Sequence, residues 1–207
     1  MSSFIYVHKE AITPDAPLVV LLHGYGSNEA DLFSFAPHLP DNVHVVSLRA
    51  PIALGYGYAW FPIHFDASME RWTDAQEVAN AVAYVTDFIH EYTTKNPVDV
   101  AKVYLIGFSQ GAMLSLSVGL YHNAVKGIAA LSGYLDHRIQ KPTNTLDLPI
   151  FVSHGDADDV VPYSWAITSV ERLKEFGYSP DFQTFSQGHG INQENLSSLI
   201  HWLNELN

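Results

Sequence analysis

Residues 103–121 place the tightest constraint on how this chain can fold. Val103-Tyr104-Leu105-Ile106 is apolar and strand-like, Gly107-Phe108-Ser109-Gln110-Gly111 follows at once, and a helical stretch runs from Gln110 to about Tyr121. A strand that enters a helix through Gly-x-Ser-x-Gly turns so tightly that a Cβ at either glycine would meet the neighbouring element. The serine at the apex is then held in a strained backbone conformation, with Oγ directed out of the top of the sheet. The helix N-terminus beneath it favours negative charge developing nearby. Three fixed residues at roughly 7% usage recur by chance in about one in ten to twenty chains of this length. Alone, the motif is equally well read as a small-residue turn with a surface serine.

Three further element boundaries shift that balance. The apolar run Leu18–Leu22 reads as a central parallel strand buried on both faces. His23-Gly24-Tyr25-Gly26 at its end lets the Tyr25 N–H point into a site, where it forms an oxyanion hole with the N–H of Gln110. An ordinary glycine-rich loop explains the same residues. After a second buried-strand candidate, Ile150–Ser153, come Asp156, Asp158 and Asp159. One of them can hold a histidine in its working tautomer, or the group can cap the helix that begins near Tyr163. Gly188-His189-Gly190 lies between a strand at Asp181–Phe185 and a last helix, Asn192 to about Glu205. The chain order serine, aspartate, histidine is the order of the α/β-hydrolase scaffold.

The 207 residues, 47% of them hydrophobic, support one domain spanning 1–207. Strands alternate with helices throughout, which predicts an α/β fold: a mostly parallel central sheet with helices on both faces and no cap domain. The remaining expected elements are an edge strand at Phe4–His8, strands at His44–Leu48 and Gly127–Leu131, and helices at Asn28–Ala36, Asp74–Tyr92 and Tyr163–Phe176. Only Arg49–Arg71, with a contribution from Leu135–Leu148, is long enough for a lid.

Composition excludes several classes of function. The net charge is −12 with ten Lys and Arg, so nucleic acid and anionic membrane surfaces are poor partners. Cysteine is absent, which removes disulfides, thiolate metal sites and a cysteine nucleophile. The start of the chain lacks signal-peptide character and no apolar stretch is long enough to span a bilayer. A cytoplasmic protein without integral membrane association is expected. None of the eleven histidines has metal-ligand spacing, and there is no Walker loop or dinucleotide fingerprint, so neither metal nor cofactor is expected. His23 and His154 are read as structural hydrogen-bonding residues. In the loop from Ala50 to Pro62, Tyr56, Tyr58, Trp60 and Phe61 are candidates for an apolar substrate wall, joined by Val161. Packing of the loop onto the core is the plainer reading of the same aromatics. If exposed, they are also compatible with a homodimer.

Taken together, Leu22-His23-Gly24-Tyr25-Gly26-Ser27-Asn28-Glu29-Ala30-Asp31-Leu32, Arg49-Ala50-Pro51, Trp60-Phe61, Gly107–Gly111, Leu131-Ser132-Gly133, His154-Gly155-x-x-Asp158-x-x-Val161-Pro162 and Gly188-His189 carry a resemblance over nearly the whole chain. It resembles the phospholipase/carboxylesterase family of α/β-hydrolases, which includes acyl-protein thioesterases and small bacterial carboxylesterases. The resemblance implies catalytic Ser109, Asp158 and His189, with Asp159 as the fallback acid. It implies a carboxylesterase that hydrolyses small to medium acyl esters through an acyl-enzyme intermediate, with a small-molecule ester as its partner. Thioesterase or lysophospholipase activity, or a non-catalytic ligand receptor, are the alternatives. Pro62 follows Trp60-Phe61 where thioesterase members often carry aspartate, which favours the small-ester branch. Because Tyr25 and Gln110 would act through backbone N–H groups, their side chains are expected to matter little.

Overall fold

A computed structural model describes residues 4–65, 71–122, 124–143 and 147–206. Its elements in chain order begin with β1 (Tyr6–Lys9), β2 (Ala16–Leu22), α1 (Ala30–Phe33) and β3 (His44–Leu48). Two short hairpins follow, β4 (Ile52–Ala53) with β5 (Tyr58–Ala59) and β6 (His64–Phe65) with β7 (Arg71–Trp72). Next come α2 (Ala75–Lys95), β8 (Val98–Phe108), α3 (Gln110–Tyr121) and β9 (Gly127–Leu131). The chain ends with β10 (Ile150–Gly155), α4 (Tyr163–Phe176), β11 (Asp181–Phe185) and α5 (Gln193–Glu205). The stretch 49–71, the one with length enough for a lid, includes residues 66–70, which lie outside the described residues.

Seven strands form one sheet in the order β1-β3-β2-β8-β9-β10-β11. Only the edge strand β1 is antiparallel. β2 shows why the central strands are continuously apolar. Leu18, Val20 and Leu22 enter one core, under α2, α3 and α4, while Val19 and Leu21 enter the other, under α1 and α5. With side chains alternating between two covered faces, neither face can be polar.

The helices follow from their sequences. Asp74 caps α2 by accepting from the N–H groups of Gln76 at 2.8 Å and Glu77 at 3.1 Å. Ala81, Val85, Phe88, Ile89 and Tyr92 give α2 its buried stripe. At the end of α4, Gly177 adopts the left-handed conformation at φ 98° and Tyr178 N–H returns to the Leu173 carbonyl. The helix expected over 28–36 is shorter, with only 30–33 helical and the rest continuing as tight turns. Pro37 accounts for this, since it lacks an N–H and disfavours helical geometry in the residue before it. Among the described residues, no helix is long and apolar enough to cross a membrane.

Two buried histidines make the fold sensitive to acid. His23 is fully buried; its Nδ1–H donates to the Gly24 carbonyl at 2.8 Å and its Nε2 accepts from Ala50 N–H at 3.1 Å. Burial lowers the pKa of both His23 and His44 from the ordinary histidine value. As pH falls through about 6.5, the unfolded chain takes up protons that the folded chain refuses, so stability declines on the acid side. Urea unfolding at pH 7.5 and 5.5 is expected to show a lower midpoint at 5.5. His23→Gln is expected to reduce that difference, and an unchanged difference would remove His23 as a cause.

Candidate active site

The site begins at the junction of β8 and α3. Ser109 has φ 54° and ψ −114°, a conformation that residues with a Cβ rarely adopt. A Cβ at Gly107 would overlap the Gly111 carbonyl, and one at Gly111 would overlap the Leu22 carbonyl at the end of β2. Glycine at both positions is what lets strand and helix meet here. Ser109 N–H donates to the Leu131 carbonyl at 2.8 Å, tying the turn to β9. Its side chain makes no cap bond to α3. Ser109 Oγ lies instead 3.0 Å from His189 Nε2.

His189 and Asp158 come from the loops that follow β11 and β10. His189 Nδ1 is 2.7 Å from Asp158 Oδ2. The carboxylate can only accept, so Nδ1 carries the proton and Nε2 is left to accept from the serine hydroxyl. Asp158 Oδ1 accepts from the N–H groups of Val160 at 2.9 Å and Val161 at 2.8 Å. Burial by itself would raise the Asp158 pKa; the hydrogen bonds from His189, Val161 and Val160 outweigh it and hold the carboxyl below the usual range. Asp159 is exposed, and Asp156 accepts from Ser186 Oγ at 3.2 Å, so Asp158 alone of the three meets His189. None of them caps α4, whose N-cap is Pro162 with no side-chain cap bond. Fully buried His154 donates from Nε2 to the Val161 carbonyl at 2.8 Å, bracing the turn that holds Asp158. The two loops are also joined directly, through Ala157 N–H to the Gln187 carbonyl at 3.1 Å.

Tyr25 sits in the turn after β2. Its neighbour Gly26, at φ 79°, donates to the Tyr58 carbonyl at 2.9 Å, and Tyr58 N–H donates to the Ser27 carbonyl at 2.8 Å. A Cβ at Gly57 would overlap the Gly26 carbonyl, so this close approach also requires glycine. Gln110 is the first residue of α3, and its N–H has no carbonyl within the helix to pair with. Tyr25 and Gln110 line the same cavity as Ser109. The expectation that the Gln110 side chain is immaterial does not fit its surroundings. It is buried, donates from Nε2 to the Phe61 carbonyl at 2.7 Å and accepts at Oε1 from Trp60 N–H at 2.9 Å.

The cavity over Ser109 has a volume of about 530 Å³. Of the expected wall, Phe61 and Val161 line it, while Tyr56, Tyr58 and Trp60 do not. Tyr56 is 74% exposed. Tyr58 lies under the Arg49 guanidinium, 4.5 Å from ring centroid to Cζ, and its hydroxyl accepts from Arg49 at 3.2 Å. Arg49 in turn pairs bidentately with the buried carboxylate of Glu29, and the hydrogen bond from Arg49 holds the Glu29 pKa down. Trp60 is buried and donates from its indole N–H to the His23 carbonyl at 2.8 Å. Aromatic content drew these three into the expected wall; Tyr56 instead stands largely exposed, and the polar atoms of Tyr58 and Trp60 take partners elsewhere. Met113, Ile63, Tyr134 and Trp165 line the cavity and were not anticipated. Only Met113 had a local signal, since it lies one helical turn after Ser109 on α3. Among the described residues, no group of three His, Asp or Glu side chains is placed to hold a metal ion.

Residues 6–207 match the phospholipase/carboxylesterase family. Acyl-protein thioesterase 1 of Neurospora crassa is 33% identical over 185 residues, covering 82% of this chain and 71% of that protein. Acyl-protein thioesterase 1 of Candida albicans is 26% identical over 211 residues, 91% of each. Among solved structures, esterase PE8 is similar with a TM-score of 0.85 and 30% identity over 99% of both chains. The Bacillus cereus carboxylesterase, at 20% identity and a TM-score of 0.88, covers 100% of this chain and 96% of its own and shares the fold. With a match that runs from β1 to the end of the chain, the protein belongs to the phospholipase/carboxylesterase family of α/β-hydrolases.

Proposed function

We propose that Ser109, His189 and Asp158 are the catalytic triad of a serine carboxylesterase that hydrolyses small to medium acyl esters through an acyl-enzyme. The observation that carries this reading is the unbroken chain of hydrogen bonds from Ser109 Oγ to His189 Nε2 at 3.0 Å and from His189 Nδ1 to Asp158 Oδ2 at 2.7 Å. The open cavity above it, walled by Phe61, Met113, Val161 and Trp165, supports an apolar acyl or aryl group beside the serine.

In this mechanism Ser109 Oγ bonds to the ester carbonyl carbon as its proton passes to His189 Nε2. The carbonyl electron pair moves onto oxygen, where the N–H groups of Tyr25 and Gln110 hold it. Asp158 keeps the imidazole in the Nδ1–H tautomer and stabilises the imidazolium. The C–O bond to the alcohol breaks as His189 returns the proton to the leaving oxygen. Water, deprotonated by the same histidine, then releases the acid and restores Ser109.

A thioester is the second reading, favoured by the relatives named acyl-protein thioesterase. Its carbonyl would meet the same groups. Matched oxygen and sulfur esters of one acyl group separate the two, and an oxygen-ester kcat/KM at or above that of the thioester supports the first.

Hydrolysis of p-nitrophenyl esters from acetate to decanoate is expected to peak at short or medium chains. Ser109→Ala is expected to lower kcat by roughly 10⁶, and near-normal turnover in that variant would refute the assignment. Asp158→Asn keeps the shape but permits the wrong histidine tautomer, and is expected to cost about 10⁴ in kcat.

A further inference from the structure

The two proposed oxyanion donors, Tyr25 and Gln110, belong to different elements, one after β2 and the other at the start of α3. Their separation has to be held to a fraction of an ångström, because donors aimed at the developing oxyanion act only at hydrogen-bond distance from it. Helix and strand packing sets the coarse position. Something more local has to set the fine one.

Residues 57–61 bridge the two donors. On the Tyr25 side, Gly26 N–H donates to the Tyr58 carbonyl at 2.9 Å and Tyr58 N–H to the Ser27 carbonyl at 2.8 Å. On the Gln110 side, the carboxamide takes Trp60 N–H at 2.9 Å and gives its own N–H to the Phe61 carbonyl at 2.7 Å. A third tie runs through side chains. Trp60 Nε1–H donates to the His23 carbonyl at 2.8 Å, the two rings lie 5.2 Å apart, and His23 Nδ1–H donates to the Gly24 carbonyl at 2.8 Å. Tyr25 is thus pinned on the residue before it and on the residue after it. Gln110, Trp60 and His23 are at most 3% exposed, so water does not compete for these bonds.

We infer that this segment is a crossbar that sets the oxyanion hole, and that the side chains of Gln110, Trp60 and His23 are positioning residues that aim the Tyr25 and Gln110 N–H groups. The inference rests on the proposed serine mechanism. It assigns Gln110 two roles, a backbone donor to the transition state and a side chain that fixes the other donor. The crossbar continues into Phe61, which lines the acyl cavity, so hole and pocket are registered to one another through the same residues.

A positioning role predicts loss in the transition state with ground-state binding preserved. Gln110→Met removes both carboxamide bonds at nearly constant size. Its kcat is expected to fall about ten- to hundredfold, less than the roughly 10²–10³ for deleting a donor outright, because the N–H groups remain but are misaimed. KM should stay within about threefold of the parent. An alkyl trifluoromethyl ketone is the diagnostic probe. Ser109 Oγ adds to its carbonyl carbon, the proton goes to His189, and the oxygen becomes an oxyanion seated in the hole. Its inhibition constant should rise by the same factor as kcat falls. Trp60→Phe keeps an aromatic ring but removes the indole N–H that donates to the His23 carbonyl, together with part of the buried bicycle, and should show the same pattern more weakly. Wild-type kcat and ketone affinity in both variants, with turnover still dependent on Ser109, would overturn the inference. So would losses of kcat that track loss of thermal stability without the matching change in ketone affinity. If Gln110→Met does not fold, the Trp60→Phe result alone decides by the same criteria. Wild-type turnover that survives Ser109→Ala would instead refute the mechanism beneath it.

Discussion

Helix α3 starts directly against the ends of β2 and β8, and the remainder of the site is arranged around that contact. Any side chain at Gly107 or Gly111 would occupy space already filled by the carbonyls of Gly111 and Leu22. The approach forces Ser109 to a positive φ, a strain of about 1–3 kcal/mol. The same helix buries Leu114, Leu116, Val118 and Leu120, each worth about 1.5–3 kcal/mol as an upper estimate. Burial therefore outweighs the strain several times over, and the serine stays in place without any hydrogen bond from its own hydroxyl to the helix.

Asp158 and His189 are brought together by strand order. β10 and β11 are parallel neighbours, paired through Gly155 and Phe185 at their C-terminal ends, so the loops beyond them leave the sheet side by side. His189 and Asp158 are 31 residues apart in sequence and meet at 2.7 Å because of that adjacency. The Asp158 carboxylate tolerates burial because two backbone N–H groups and the imidazole satisfy it. An unpaired charge there would cost several kcal/mol. The turn that presents those N–H groups is braced by His154, which gives the fully buried imidazole near the end of β10 a structural role.

Much of the fold was legible because burial writes a simple pattern. Leu18–Leu22 is an unbroken apolar strand and His44–Leu48 a largely apolar one, and α3, α4 and β11 begin and end where periodicity and glycine placed them. Helix α1 was overextended, since its apolar spacing continues up to Pro37 although the backbone hydrogen bonds do not. The candidate site was legible for a different reason: Ser109 and His189 each lie after a strand and between or beside glycines whose spacing is chemically demanding, while Asp158 was singled out only by the family resemblance. The pocket was legible only in part. Phe61 and Val161 reach it, whereas Tyr134 and Trp165 enter from loops and helices remote in sequence, meeting edge to face with 4.8 Å between ring centroids.

By itself the amino-acid order determined a doubly covered parallel sheet, the serine turn, and the chain order of the groups that gather around it. These are properties of short segments, set by steric volume at glycine and by the two-residue period of strands. Residue type and position left three neighbouring aspartates open and only the family resemblance pointed to Asp158; the folded turn is what brings its carboxylate, and not those of Asp156 or Asp159, to the imidazole. Tertiary structure also decided that Tyr58 and Trp60 serve as struts rather than as cavity wall. An aromatic side chain looks apolar in any sequence pattern, but its backbone groups and indole N–H take partners according to what lies within 3 Å, and only the folded chain supplies that.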